Sequence, residues 1–328
     1  MFMALAMTLL HLFMVDFKRE KMKEQIIFHA DDFGANEEIS RHILDCFYKG
    51  ALTSLSVLPN SQRLAECMEM LRPVQEKLHV SIHFNLAEGP CVAKPEEVAL
   101  LVNEKGMLDI SFFQVLSISL FGTPAKKRML HKQIKTELRA QLMRMLPYIK
   151  ELRIDSHQHY HMIPLVLDCI LEIVEELPKT EAGKNWLSGK KPEIAFLRIP
   201  AEPLTPFLGQ PGLYLTYRPI NLVKNLVLNT LAFLDRKKLK FLKKNSAVFF
   251  GILLSGKMDL ERVERLLPAF EKISEKKNLP LEVLCHPGGV ECPDKLMDLE
   301  NADCVAFYRS QGRKLEKQML CGINWKQS

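Results

Sequence analysis

Seven short apolar runs rich in β-branched residues punctuate the chain, at 25–29, 52–58, 78–84, 152–157, 193–199, 247–254 and 281–285. Stretches of helical period lie between them. Residues 37–48 place Ile39, Ile43, Leu44 and Phe47 on one face, with Asn36 positioned to cap it. Residues 128–149 repeat Leu130, Ile134, Leu138, Leu142, Met145 and Ile149, and 164–177 and 259–273 follow the same period. Alternating strand and helix predicts a parallel α/β architecture. The strands show little polar alternation, as expected of a sheet covered on both faces.

Two connectors are long: 87–123, with an apolar stretch at 110–121, and 200–244, which opens with five prolines in twenty residues. Long insertions in such a scaffold shape a site or an interface. The second ends in a helix candidate over 224–244, where Leu226, Val227, Leu231, Phe233 and Leu234 precede Arg236, Lys237 and Lys238, with Lys240, Lys243 and Lys244 beyond. A basic amphipathic helix can lie on an anionic membrane. A homodimer interface or a core helix with a solvated edge is the preferred reading. With no repeat and no Gly/Ser-rich linker, residues 25–328 read as one domain with insertions near 87–123 and 200–244.

Residues 1–24 are set apart from that domain. Met1 to Val15 is nearly all apolar, too short for an ordinary membrane span, and lacks the basic n-region and cleavage site of a signal peptide. Either the protein starts near Met22, the preferred reading, or the segment is a short membrane-touching anchor. Over 328 residues, 47% hydrophobic and 26% charged, the chain can bury a sizeable core without staples. Its net charge of +6 is too mild to argue for nucleic acid. Eight cysteines at 46, 67, 91, 169, 285, 292, 304 and 321 form no C-x-x-C pair, so reduced thiols in a cytoplasmic protein are expected.

The chemistry gathers at the forward ends of the strands. The first ends in His29-Ala30-Asp31-Asp32-Phe33-Gly34, the second at Pro59-Asn60, and the third in His83-Phe84-Asn85. The fourth runs into Asp155-Ser156-His157-Gln158-His159-Tyr160-His161, the fifth into Arg198, and the seventh into His286-Pro287-Gly288-Gly289. In a barrel of parallel strands these ends converge on one face. Taken singly they are weak. The Asp pair also suits a helix cap or an Asx-turn, His83 suits a satisfied core histidine, and a histidine before Pro-Gly-Gly suits a turn. Asp155, His157, His159 and His161 are spaced by two, so an extended strand would point all four to one face. Imidazoles with a carboxylate behind them suit a metal centre. Asp and His ligands, a free carboxylate and a free histidine are the parts of metal-assisted hydrolysis.

These blocks, together with Asn85-Leu86-Ala87-Glu88-Gly89 after His83 and Met162 after His161, resemble the signatures of the YdjC-like carbohydrate deacetylases, in order from about Ile26 to beyond Asp303. The resemblance implies a deformed seven-stranded (β/α) barrel of the polysaccharide-deacetylase type. It implies hydrolytic removal of the N-acetyl group from an acetylated amino sugar, with one divalent metal ion. Asp32, His83 and His157 match the metal ligands, Asp31 the general base and His286 the general acid. Asn85, Asp155, His159, His161 and Arg198 fall where substrate contacts, or groups behind the ligands, are expected. Family members favour Mg2+; two imidazoles and a carboxylate suit Zn2+ at least as well. The apolar insertions depart from an ordinary oligosaccharide groove and leave open a lipid-linked sugar and peripheral membrane contact. Hydrolysis of another ester, or sugar binding without turnover, are the alternatives. No nucleic-acid partner is expected.

Overall fold

All seven runs form strands: β1 (Ile26–Phe33), β2 (Ser54–Val57), β3 (His79–Phe84), β4 (Leu152–Ser156), β5 (Ile194–Leu197), β6 (Val248–Phe250) and β7 (Leu281–Cys285). The computed structural model describes residues 25–291, 296 and 301–323. The expectations for Met1 to Val15, for a start near Met22 and for Cys292 lie outside the described residues. The strands form one parallel sheet in the order β5-β4-β3-β2-β1-β7-β6. Every residue of β1, β2, β4, β6 and β7 is buried, which accounts for the missing polar alternation.

The outer strands β5 and β6 make no ladder with each other. Side chains close the seam instead. Ile27, Phe196 and Ala247 pack together across the lumen, and Asn245 Nδ2 donates to the Ile194 carbonyl at 2.7 Å. Nearer the forward ends, Arg198 reaches from the end of β5 to Glu282 on β7, with Nε 2.9 Å from Oε1. The result is the deformed seven-stranded (β/α) barrel that the sequence predicts.

The helices are α1 (Glu37–Lys49), α2 (Leu64–Leu71), α3 (Phe112–Phe121), α4 (Pro124–Met145), α5 (Pro164–Glu175), α6 (Glu181–Leu187), α7 (Thr205–Leu208), α8 (Pro219–Leu234), α9 (Arg236–Leu239), α10 (Leu260–Lys277), α11 (Ala302–Tyr308) and α12 (Gln311–Gly322). Asn36 caps α1 as expected, its Oδ1 accepting the Ile39 N–H at 2.8 Å. The expected helix at 128–149 starts earlier, because Thr123 caps it and Pro124 takes its first position. It stops at Met145, and Pro147 follows in a 3-10 turn.

Both insertions are pinned by buried carboxylates. Glu137 on α4 accepts the N–H groups of Val92 and Ala93. Glu202 accepts those of Gly251, Ile252 and Leu253 and the side-chain amide of Asn225 on α8. Those bonds hold 251–254 as a loop, so β6 is shorter than its apolar run. The helix expected at 224–244 is also corrected. Pro219 starts it earlier, and it breaks at Asp235, whose buried carboxylate turns to Lys238 at 3.3 Å. No helix among the described residues is long and apolar enough to cross a membrane.

Arg198 holds carboxylates from β1, β4 and β7 in one buried network. Replacing it with Met leaves those charges uncompensated, so Arg198→Met is expected to lose about 3–5 kcal/mol of stability, read as a lower urea midpoint. An unchanged midpoint would show that the seam does not need it.

Candidate active site and metal centre

Consecutive residues on a strand diverge, yet Asp31 and Asp32 share one site. The reason is local. Asp32 has φ 72°, a left-handed conformation rare outside glycine, and the β1–β2 register shifts between Ala30 and Phe33. Asp31 is gripped by Arg198, with Nη1 at 3.0 Å from Oδ2 and Nη2 at 2.9 Å from Oδ1, and accepts from Ser56 Oγ at 2.9 Å. Asp32 accepts from Arg313 Nη1 at 2.7 Å through Oδ2. Its Oδ1 faces His157 Nδ1 at 3.1 Å and His83 Nε2 at 3.6 Å.

The β3–β4 register sets His83 beside Asp155. His83 Nδ1 lies 2.6 Å from Asp155 Oδ1, which leaves Nε2 buried, without a hydrogen-bond partner and turned toward Asp32. A carboxylate behind the imidazole that fixes its outward nitrogen is the arrangement a metal-binding histidine uses.

The region after β4 departs from expectation. The strand ends at Ser156, and His157–Met162 forms a 3-10 turn with Gln158 and His159 at positive φ. Asp155, His157, His159 and His161 therefore do not share one strand face. His157 swings to Asp32 and Glu88, its Nε2 3.6 Å from Glu88 Oε2. His161 is fully buried between Ser156 Oγ at 2.6 Å and the Arg198 carbonyl at 2.9 Å, tying the turn to the end of β5. His159 packs edge-on against Phe249 in the lumen. Asn85 is also fully buried; it bonds Asn60, Ala87 and the Glu88 backbone, and so shapes the loop that carries Glu88.

His286 stands across the site, Nε2 3.9 Å from Asp31 Oδ2. Glu316 on α12 holds it from behind, accepting the His286 backbone N–H and lying 3.5 Å from Nδ1. Gly288 turns the chain at φ +84°, where a Cβ would meet the His42 Cβ at 2.3 Å, and its carbonyl accepts from Arg313 Nε at 2.7 Å. Tyr308 Oη donates to Glu88 Oε1 at 2.7 Å. Arg313, Glu316 and Tyr308 carry no signal in the sequence, where the C-terminal helices look like ordinary amphipathic ones. Glu282 did leave a signal, as a lone carboxylate inside an apolar strand run.

Ligand atoms of Asp32, His83 and His157 lie within 4.8 Å of one another. That spacing, one carboxylate with two imidazoles, and the unpartnered His83 Nε2 fit a divalent ion with ligand bonds of about 2.0–2.2 Å. His29, Asp31 and Asp155 form a second such group. There Arg198 Nη2 already stands 2.9 Å from Asp31 and 3.2 Å from Asp155, so a guanidinium supplies the charge a metal would bring.

Charge around the centre is unbalanced. Among the described residues, Asp31, Asp32, Glu88, Asp155, Glu282 and Glu316 are buried there with only Arg198 and Arg313 as permanent cations. Burial opposes charge on His83, but Asp31 and Asp155 outweigh it and carry the ring to about 9. Burial likewise opposes charge on His157, and Glu88 and Asp32 carry it to about 10. Asp31 is held well below the usual carboxylate range against burial, by Arg198 first and then His83. Burial, reinforced by Arg198, keeps His159 neutral. Away from the centre, a surface groove of about 660 Å³ runs between α3, α4 and α5 and takes in none of these residues.

Fold and site together define a parallel α/β barrel with a buried Asp-His-His cluster at its strand ends. A profile of the YdjC-like protein family matches residues 25–327. The chain belongs to that family. It is 25% identical over 189 residues to a carbohydrate deacetylase of Danio rerio, covering 55% of this chain and 51% of that protein. It is 32% identical over 155 residues to one of Geobacillus stearothermophilus, covering 47% and 57%. The match spans between half and two thirds of these relatives' length. A crystal structure from Enterococcus faecalis, of a protein named for cellobiose-phosphate cleavage, shares the fold at a TM-score of 0.55 and 18% identity over 90% of both chains.

Raised histidine pKa values lend the metal-free protein stability that is complete below about 6.5 and lost as pH rises through about 9 to 10. A metal needs both rings neutral. Adding Zn2+ to metal-free protein at pH 7 is therefore expected to release about two protons, measured by calorimetry in buffers of different ionisation enthalpy. Binding without proton release would contradict the ligand set.

Proposed function

We propose that this protein is a metal-dependent carbohydrate N-deacetylase acting on an acetylated amino sugar. The observation that carries the reading is the pairing of Asp31 Oδ2 and His286 Nε2, 3.9 Å apart, beside the Asp32–His83–His157 cluster. Family membership and relatives named as carbohydrate deacetylases support it.

Asp32, His83 and His157 would hold one divalent ion, with Asp155 fixing the His83 ring. Such an ion acidifies water and polarises a carbonyl when bound. Held down by Arg198, Asp31 is a weak base, suited to taking a proton only from water already made acidic. Arg198 also fixes the orientation of its two oxygens. Water oxygen bonds to the acetamide carbon, the carbon–nitrogen bond breaks, and the sugar nitrogen leaves as the amine. His286, positioned by Glu316, gives the departing nitrogen its proton. Acetate and the free amino sugar are the products. Two imidazoles and one carboxylate favour Zn2+ or another transition ion, with Mg2+ as the other candidate.

Acetate release from N-acetylglucosamine-containing sugars, by metal-stripped protein resupplied with Mg2+, Zn2+, Co2+ or Mn2+, tests the reading. Asp31→Asn and His286→Ala are each expected to lower kcat by about 10²–10⁴ while retaining metal. His83→Ala is expected to lose the metal itself, read by elemental analysis. Full activity in Asp31→Asn would remove the base assignment, and no acetate with any ion from metal-loaded protein would remove the deacetylase reading.

A further inference from the structure

Helix α8 is built inside out. Its buried residues include Asn221 and Asn225, and Asn229 is half-buried one turn on. Asn221 donates to the carbonyls of Leu253 and Ser255, Asn225 to Glu202, and Asn229 to the Glu202 and Asn225 carbonyls. Apart from Lys224 and Thr230, the exposed residues between Ile220 and Leu234 are apolar: Ile220, Leu222, Val223, Leu226 (65% exposed), Phe233 (62%) and Leu234. Leu215 just before it is 100% exposed, and Phe241 just after it 79%. A helix in water turns its apolar stripe to the core, and monomers rarely expose patches of this kind.

The surrounding charge says what covers it. Residues 203–244 hold eight Lys and Arg against a single acid, Asp235, which is buried. Arg218, Arg236, Lys237, Lys240, Lys243 and Lys244 are exposed around the patch. A two-fold contact between two copies is self-complementary, so it would press these cations against their equivalents. An anionic lipid surface offers hydrocarbon to the leucines and phenylalanines and phosphate to the rim.

We infer that the outward face of α8, with Leu215 and Phe241 at its ends and the Arg236–Lys244 cations beside it, docks the protein on anionic membranes. The helix lies in the interface; α8 is not long and apolar enough to cross. Because α8 packs on the turn carrying His157, docking brings the mouth of the barrel to the lipid headgroups. The inference is independent of the reaction performed there.

Co-sedimentation of the full chain with phosphatidylglycerol-containing vesicles, against vesicles of phosphatidylcholine alone, tests it. Binding is expected only to the anionic vesicles and is expected to fall as salt rises. Leu222→Ser with Leu226→Ser and Phe233→Ser, and separately Arg236→Gln with Lys237→Gln and Lys240→Gln, are each expected to weaken binding by about tenfold or more. Circular dichroism and thermal melts check that the variants fold. No binding to anionic vesicles overturns the inference, as does binding indifferent to the three apolar substitutions. A dimer in ultracentrifugation that those substitutions dissolve would assign the face to a second copy instead. Acetate release from soluble sugars is scored separately, so either result can fail alone.

Discussion

Arg198 stands where a closed barrel would have backbone hydrogen bonds. β5 and β6 do not pair, and a fully buried guanidinium joins their sides of the lumen through carboxylates on β1, β4 and β7. A buried charge is tolerable only when matched and hydrogen-bonded. The match is made at Asp31, Asp155 and Glu282, so Arg198 fixes the positions of three strands at once. The residues proposed to do chemistry inherit that fixity. Asp31 is oriented by both guanidinium nitrogens, and Asp155, aligned by the same group, orients His83.

The second constraint is the excess of negative charge. Two guanidiniums among six buried carboxylates leave a deficit of positive charge that protonation of His83 and His157 reduces, or that a divalent ion reduces in their place. Protons and metal compete for the same nitrogens. Barrel closure and affinity for a cation thus arise from one set of side chains.

The strands and their order of chemistry were legible in the sequence because buried parallel strands are short, apolar and punctuated by turns, and because the polar residues cluster at their forward ends. Asp31, Asp32, His83, His157 and His286 are brought together as that pattern implies. What misled was the spacing of two after β4. It reads as one strand face, but Gln158 and His159 adopt positive φ, and His161 is drawn under Arg198. Local pattern does not report a left-handed turn at residues other than glycine. Arg313 and Glu316 were invisible for a different reason. On an amphipathic helix, a charged residue facing the core looks in sequence like one facing water.

Chain order gives the site a schedule. Asp31 and Asp32 are adjacent carboxylates whose cationic partners lie far downstream: Arg198 is 167 positions beyond Asp31, and Arg313 is 281 beyond Asp32. Chains emerge from the ribosome N-terminal end first, so the β1 corner is made well before the groups that neutralise it. Its left-handed Asp32 has no counter-charge from Arg313 until α12 has emerged and docked. The segment that completes the site is therefore made long after the corner it neutralises.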